Sequence, residues 1–444
     1  MNTTISSRRA FLRRATLLAA APVIAPRGAL GTDARASANH RLGIGFIGTG
    51  RQAVLANLVL FLVHSETQLV AVCDVDSWRL EQARRKIEDH YSVNRPAGWK
   101  GLQVTGDFRE VLANPAVDAV MISTPDHWHA YMAIAAARAG KDVALEKPIS
   151  LSVREGRAIA DAMKRHGRVF RTDTEVRTEG AFQKLVQAAR NGRLGRITSV
   201  EIGVPKEAPP LGRAPTVVPP PADLNYPLWL GPAPEAPYSE ERVHPREKLS
   251  ARPGWMQIQD YSQGMLLNWG AHLIDIAQWA LNAETTTPVE VTCTGSCPDD
   301  LYNVPQAFEA RYRYANGVEL RYTMAGRPFV RVEGSDGWAE AEWWRGVKAS
   351  RPEILEAPYG DSDFRARGPH EKVDFIEAVQ TRRETQIPAE VGHRTCTVCQ
   401  LAFIALKLGR RLRWDPLAER FIDDAEADRL LSRPVRGEWA LDKL

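Results

Sequence analysis

The sequence predicts an α/β protein, in which an N-terminal doubly wound parallel sheet is followed by a C-terminal α+β domain with a mainly antiparallel, open sheet. Three observations carry this prediction. Apolar strand-like runs alternate with helix-forming stretches up to about residue 173, a glycine turn follows the first of those runs, and four segments with strand-like alternation appear after residue 288. With 444 residues, 44% apolar and 25% charged, the chain has the composition of a globular protein and the length of two to three domains.

The first run, Leu42–Ile47, breaks into Gly48-Thr49-Gly50-Arg51-Gln52-Ala53 and then enters a helical stretch from about Val54 to His64. The glycines and Ala53 have the G-x-G-x-x-G/A spacing, where missing Cβ atoms let a pyrophosphate approach backbone N–H groups at a helix N-terminus. A second apolar strand, Gln68–Cys73, ends at Asp74, 24 residues after Gly50. In a dinucleotide fold this carboxylate accepts hydrogen bonds from the adenosine ribose. Gly48, Thr49, Gly50, Arg51, Gln52 and Asp74 are therefore candidate cofactor-binding residues. Asp74 favours NAD, because a 2′-phosphate would meet a carboxylate there, while nearby Arg79 leaves NADP open.

Asp76 or Ser77 can cap the next helix, which runs to about Tyr91, and a short third strand is expected near Leu102–Thr105. Val117–Thr124 is apolar and β-branched, ends at Thr124-Pro125-Asp126-His127-Trp128-His129, and leads into an alanine-rich helix closed by Gly140. Asp142–Leu145 is a further strand ending in Glu146-Lys147-Pro148, and Ser152-Val153-Arg154-Glu155 is a capping box for a helix to about His166. A last strand, Val169–Thr172, closes a domain spanning residues 39–173. Ligands of such sheets bind outside the carboxyl ends of the strands.

Residues 174–444 form the predicted second domain. It begins with a helix at 179–191 and a strand at Ile197–Val204, followed by Pro205–Pro237, where eleven prolines in 33 residues predict a long surface loop rather than a packed element. Val289–Thr294, Ala307–Tyr314, Val318–Met324 and Ala339–Trp344 alternate as strands of a sheet with one exposed face, suited to covering a substrate or another subunit. A homo-oligomer is expected on that ground. Cys396 and Cys399 lie in the helical stretch Glu390–Arg411 and read as buried structural thiols, with no metal site expected. Cys293 and Cys297 could pair or stay free.

Residues 1–38 read as an export signal. Ser7-Arg8-Arg9-Ala10-Phe11-Leu12-Arg13 is a twin-arginine pattern, and the apolar run Ala15–Ala25 is too short to span a bilayer. Ala36-Ser37-Ala38 and Ala34-Arg35-Ala36 compete as cleavage sites. The formal charge of +4 arises in this segment, which holds six arginines and one acid; the remainder carries 52 bases against 53 acids, so no nucleic-acid face is implied. A periplasmic location, the twin-arginine export machinery as partner, and the absence of a stable membrane anchor follow as expectations.

These landmarks together resemble the Gfo/Idh/MocA oxidoreductases, named for glucose-fructose oxidoreductase and inositol dehydrogenase. The resemblance rests on Gly48-Thr49-Gly50, Asp74, Thr124-Pro125 with His129, Glu146-Lys147-Pro148, and Gly264–Asp275 with its Asn268-Trp269-Gly270-Ala271-His272 core. Asp223–Pro234, with Trp229-Leu230-Gly231-Pro232, further resembles an exported, twin-arginine subset. The family implies an N-terminal Rossmann domain, a C-terminal domain with an open sheet, and a Lys147 that reaches the reacting carbon beside the nicotinamide, with a cis Lys147–Pro148 bond allowed. It also implies Thr124, Pro125, His129 and Glu146 at the cofactor.

His127 and Trp128 are expected to flank the same cleft. His272 and Asp275, three apart on a helix, share a face with Asn268 one turn earlier. Inositol dehydrogenase-like members carry an aspartate in place of Asn268; asparagine can orient an imidazole but cannot stabilise an imidazolium by charge. Arg177 stands where the subset carries a cleft-facing arginine, with a domain-bridging salt link as the alternative.

The function this implies is hydride transfer between NAD(P) and a secondary alcohol of a sugar, glycoside or cyclitol. His272 is the expected general acid/base, Lys147 shares the proton or lowers the alkoxide energy with a depressed pKa, and Asn268 and Asp275 orient His272 or bind hydroxyls. Lys147, His272 and Arg177 would contact substrate. Two alternatives stand beside this reading: a redox-neutral lyase or glycosidase, and a non-catalytic dinucleotide-binding regulator.

Overall fold

The computed structural model describes residues 41–95, 99, 101–366, 368 and 370–444. The export-signal reading of residues 1–38 lies outside the described residues. No described helix is long and apolar enough to cross a membrane.

The N-terminal sheet has six parallel strands: β1 (Leu42–Ile47), β2 (Thr67–Cys73), β3 (Gln103–Thr105), β4 (Ala119–Ile122), β5 (Asp142–Glu146) and β6 (Phe170–Asp173), in the order β3-β2-β1-β4-β5-β6. The order reverses between β1 and β4, which opens a crevice at their carboxyl ends. Helices α1 (Leu58–Val63), α2 (Ser77–Asn94), α3 (Phe108–Ala113), α4 (His129–Arg138) and α5 (Val153–His166) connect the strands. Asp76 caps α2 by accepting from the Arg79 N–H, and Ser152 caps α5 by accepting from Glu155 N–H while the Glu155 carboxylate accepts from Leu151 N–H. The expected helix after the glycine turn starts instead with a wider π turn at Ala53–Asn57, a distortion that accompanies functional sites. Here it directs the Asn57 amide at Glu146.

The second sheet has nine strands. It comprises β7 (Ile197–Gly203), β8 (Glu290–Ser296), β9 (Ala307–Arg313), β10 (Glu319–Thr323), β11 (Phe329–Gly334), β12 (Gly337–Glu342), β13 (Gly346–Ala349), β14 (Leu412–Asp415) and β15 (Arg420–Phe421), ordered β13-β12-β11-β7-β10-β9-β8-β14-β15. Only the β7–β10 pair is parallel. Helices α6 (Gly180–Arg190), α7 (Tyr226–Leu230), α8 (Gly264–Asn268), α9 (Gly270–Leu281), α10 (Glu353–Glu356), α11 (Glu371–Thr381) and α12 (Ala389–Leu408) accompany it. Strands β11, β13, β14 and β15 were not anticipated: β13, β14 and β15 have four residues or fewer, whereas β11, with Phe329, Val330 and Val332 buried, carries the alternation of a strand.

Two further departures concern packing. Phe375, Ile376, Ala378 and Val379 of α11 join Ile44 and Phe46 in the core of the first sheet, so a segment distant in sequence completes the N-terminal domain. The proline-dense segment is not wholly loop. Leu224, Tyr226, Trp229, Leu230 and Ala233 pack with Tyr238, Val243, Ile258 and Tyr261 into a small core of their own, because the prolines frame a short helix that presents large aromatics on one side. Cys396 and Cys399 are buried free thiols on α12, and Cys293 and Cys297 are also unpaired. Among the described residues no group of His, Cys, Asp or Glu could hold a metal.

Candidate active site

A cavity of about 570 Å³ lies at the carboxyl ends of β1, β2, β4 and β5 and is covered from the C-terminal domain. Its first end is the glycine turn. Gly48 has φ +89°, and a Cβ there would come within 2.7 Å of the Ser123 backbone, so only glycine lets β1 turn beneath β4. Gly50 lines the cavity and faces open space: a Cβ would meet nothing within 4 Å. Thr124 Oγ1, also in the lining, is buried without a hydrogen-bond partner. An approachable turn at a helix start and an unpartnered hydroxyl fit a phosphate-bearing ligand.

Asp74 lines the same end, with its carboxylate held by three donors. Oδ2 accepts from Thr49 N–H (2.6 Å) and Thr49 Oγ1–H (2.9 Å), and Oδ1 accepts from Asp76 N–H (2.9 Å). Burial, and then the Asp76 charge, raise its pKa above the usual carboxylate value. Thr49 is thus corrected from a cofactor contact to the residue that aims Asp74, since it is fully buried and occupied by that carboxylate. Arg51 donates to the Ser250 carbonyl (3.0 Å), and His244 Nε2 meets Asp76 Oδ2 at 2.8 Å. The cover over this end comes mainly from residues 244–256, with only Leu228 and Trp229 reaching it from the proline-rich segment.

The reacting end gathers Glu146, Lys147, Asp126, Asn268 and His272. Lys147 Nζ donates to Asn268 Oδ1 at 3.1 Å. His272 Nδ1 lies 2.5 Å from Thr174 Oγ1, and burial followed by the Lys147 charge pushes the imidazole pKa well below its ordinary value. His272 is therefore neutral near neutral pH. Thr174 can donate or accept, so the ring proton is free to sit on either nitrogen. The expected orientation of His272 by Asn268 is corrected: Asn268 Oδ1 accepts from Lys147 Nζ, and the imidazole Nδ1 meets Thr174 Oγ1 instead, although Trp269, between α8 and α9, keeps helical dihedrals (φ −87°, ψ −27°).

His129 spans the Pro148 carbonyl (Nδ1, 2.7 Å) and the Thr124 carbonyl (Nε2, 3.0 Å), fixing the cis Lys147–Pro148 turn against the end of β4. It lines the cavity, and because burial pushes its pKa down to about 4 the neutral ring donates a single hydrogen bond, to one of these two carbonyls, from where it positions Lys147. The Glu146 carboxyl accepts from Asn57 Nδ2 (2.6 Å) and is raised in pKa by burial and by Asp173. Asp173 pairs in turn with the buried Lys372.

Three candidates fall away from the site. Asp275 is bound by Arg177 through two 2.7 Å hydrogen bonds, and Arg177 also meets Glu284 (2.7 Å), so the pair is an internal salt link and neither side chain lines the cavity. His127 is buried behind the wall, its Nε2 at the Trp229 carbonyl (3.1 Å) and its pKa lowered to about 3 by burial, packed against Trp229 and Tyr261. Trp128 lines the cavity as expected, whereas the sequence reading missed Asp126, Thr174 and the lining tryptophans Trp255, Trp269, Trp343 and Trp344. Asp126 accepts from Ser262 Oγ–H (3.0 Å), and burial pushes its carboxyl up to about 7, opposed by Lys147. Its position directly after Thr124-Pro125 was the available signal.

Residues 42–174 match the family model described as "Oxidoreductase family, NAD-binding Rossmann fold", and residues 212–441 match "Oxidoreductase family, C-terminal alpha/beta domain". The chain belongs to the Gfo/Idh/MocA oxidoreductase family. Residues 42–174 are an NAD-binding Rossmann domain, and NAD is the cofactor this domain serves. Myo-inositol 2-dehydrogenase of Thermotoga maritima is 28% identical over 167 residues, 38% of this chain and 46% of that protein. A glycosyl hydrolase family 109 protein of Saccharopolyspora erythraea is 32% identical over 137 residues, 31% of this chain and 29% of that protein. The chain thus spans under half the length of both relatives. Among solved structures, the aldose-aldose oxidoreductase of Caulobacter crescentus, complexed with glycerol, superposes with a TM-score of 0.61 at 19% identity, over 84% of this chain and 99% of that one, and shares the fold.

Proposed function

We propose that this family member is an NAD(P)-dependent oxidoreductase that transfers hydride to or from a secondary alcohol of a sugar, glycoside or cyclitol. The observation that carries the reading is the convergence of Lys147, Asn268 and His272 in the cavity that also holds the glycine turn and Asp74. Gly48, Gly50, Thr124 and Asp74 would hold the dinucleotide, which when bound supplies the hydride acceptor or donor.

The chain's own part is the proton. Burial keeps His272 neutral, so Nε2 can accept the hydroxyl proton while Nδ1–H donates to Thr174. Lys147, steadied by Asn268, places positive charge where the oxygen gains negative charge. The carbohydrate class is supported by the similarity to the inositol dehydrogenase and by a lining that sets tryptophan rings beside polar and charged side chains able to meet hydroxyls.

Similarity to the family 109 protein supports a second reading, in which oxidation at one sugar carbon permits cleavage of a glycosidic bond and is then reversed. We further propose that the protein is exported through its twin-arginine signal with the dinucleotide already bound. The loop carrying His244 and Ser250 would retain it. One experiment tests these readings together: mass spectrometry of the dinucleotide on protein isolated from the periplasm, then a panel of sugars and glycosides added to that holoprotein while the near-ultraviolet absorbance of reduced nicotinamide and the products are followed. Bound dinucleotide and a keto-sugar product are expected. A cleaved glycoside without net reduction would favour the second reading, and no spectral or product change with any sugar would overturn both.

A further inference from the structure

Hydride transfer as derived above does not use three tryptophans that stand beside His272 on the C-terminal side of the cavity, Trp269, Trp343 and Trp344. Trp269 lies between α8 and α9, and Trp343 and Trp344 form the turn from β12 to β13. All three line the cavity with His272. Trp343 is buried and stands edge-on to His272, with ring centres 5.2 Å apart at 88°. Trp269 stands 5.9 Å from His272 and 5.3 Å from Trp343. Trp344 lies one ring further out, 5.5 Å from Trp343 and 6.1 Å from Trp269.

Trp344 also departs from ordinary structure in two independent ways. Its side chain is 77% exposed although it is the largest apolar residue type, and its backbone has φ +62°, a conformation that bulky residues rarely adopt. A strained turn that holds an exposed indole over a ligand cavity is a feature expected of a binding surface. Pyranose rings present a face of C–H groups that packs flat against an aromatic ring, while their hydroxyls stay in water at the edge. The cavity mouth offers that combination.

Resting on the carbohydrate reading above, we propose that Trp344, backed by Trp343 and Trp269, is a subsite for a second sugar ring, so that the substrate is a glycoside or oligosaccharide with the reacting ring at His272 and its neighbour on Trp344. The one-ring spacing from His272 to Trp343 to Trp344 is the geometric basis.

The test uses holoprotein and the Trp344→Ala and Trp344→Tyr variants. Kinetics with glucose and galactose are compared with cellobiose and lactose, and binding of the same four sugars is followed by quenching of tryptophan fluorescence. The expected result for Trp344→Ala is a disaccharide-to-monosaccharide KM ratio raised about fivefold or more, the size of a lost aromatic contact, with kcat nearly retained and with recovery in Trp344→Tyr. An unchanged ratio in a wild type that turns over these sugars overturns the subsite and leaves the proposed function standing. Weakened dinucleotide binding, or a changed mass in solution with the ratio unmoved, would make Trp344 a cofactor or subunit contact and overturns it too. A wild type that neither turns over nor binds any of the four overturns the subsite as stated; the proposed function is then decided by the wider sugar panel.

Discussion

The two ends of the cavity are built by different means. At the dinucleotide end the decisive features are backbone: a glycine turn that admits no Cβ, the start of a helix, and a carboxylate fixed by the N–H groups of residues close in sequence or on the adjacent strand. At the reacting end they are side chains brought from far apart, with Lys147 and Asn268 separated by 121 residues, Thr174 and His272 by 98, and Asp126 and Ser262 by 136. The first end takes its turn and carboxylate from local geometry, and only its cover, residues 244–256, comes from far along the chain. The second depends on docking of one domain on the other, so it can be altered by single substitutions without disturbing the first.

That contrast predicts where the largest effect falls. Lys147→Ala should lower turnover by at least ~10²-fold, the usual scale of losing an acid–base or charge-stabilising group, while leaving dinucleotide affinity nearly unchanged. Stopped-flow turnover and fluorescence titration with NADH check the two halves separately. Near-wild-type turnover would remove Lys147 from the mechanism, and an equal loss of NADH affinity would erase the distinction between the ends.

A smaller effect is expected from the first end. Asp74→Ser removes a carboxylate that accepts from Thr49 and Asp76 and that neighbours the buried Arg79, whose guanidinium donates to the Pro245 carbonyl at 3.1 Å. Losing that negative charge should reduce the preference for NAD over NADP by about tenfold in kcat/KM, by removing repulsion toward a 2′-phosphate and leaving Arg79 to attract it. An unchanged ratio would show that Asp74 does not read the ribose.

The same contrast explains what could be read from the sequence. Gly48, Gly50 and Asp74 sit in contiguous strand–turn–helix–strand patterns, and β4 and β5 are apolar runs with clear ends, so the N-terminal domain was legible residue by residue. His272, Asn268 and Asp275 were grouped by helix periodicity; Asn268 and His272 do line one cavity, though with different partners, and Asp275 falls away because the buried charge of Arg177 claims it. Thr174 and Asp126 carry no periodic signal of their own. Their roles arise from which strand end faces which helix, information that exists only once the domains are packed. The same holds for α11, which completes the core around Ile44 and Phe46 from more than 300 residues away in the chain.

The smallest expected effect sharpens the account of the reacting end. Asp126 is buried, bonded to Ser262, and has its carboxyl pushed up to about 7 from an ordinary value of 3.8. Between those two values the folded protein holds a proton that the unfolded chain has released. Its contribution to stability is therefore fully present below about pH 4, declines as pH rises, and is gone above about pH 7. An Asp126→Asn variant cannot titrate there and keeps an amide for the Ser262 hydroxyl. Relative to wild type it should gain stability as pH is raised from 4 to 8, on the order of a kcal/mol or more, read as a few degrees in Tm. Because the Lys147 charge opposes the upward shift, removing it should raise the Asp126 pKa further. In a Lys147→Ala background the gain from Asp126→Asn should accordingly continue to higher pH. Parallel melting curves in the two backgrounds would show that the lysine and this carboxyl do not sense each other.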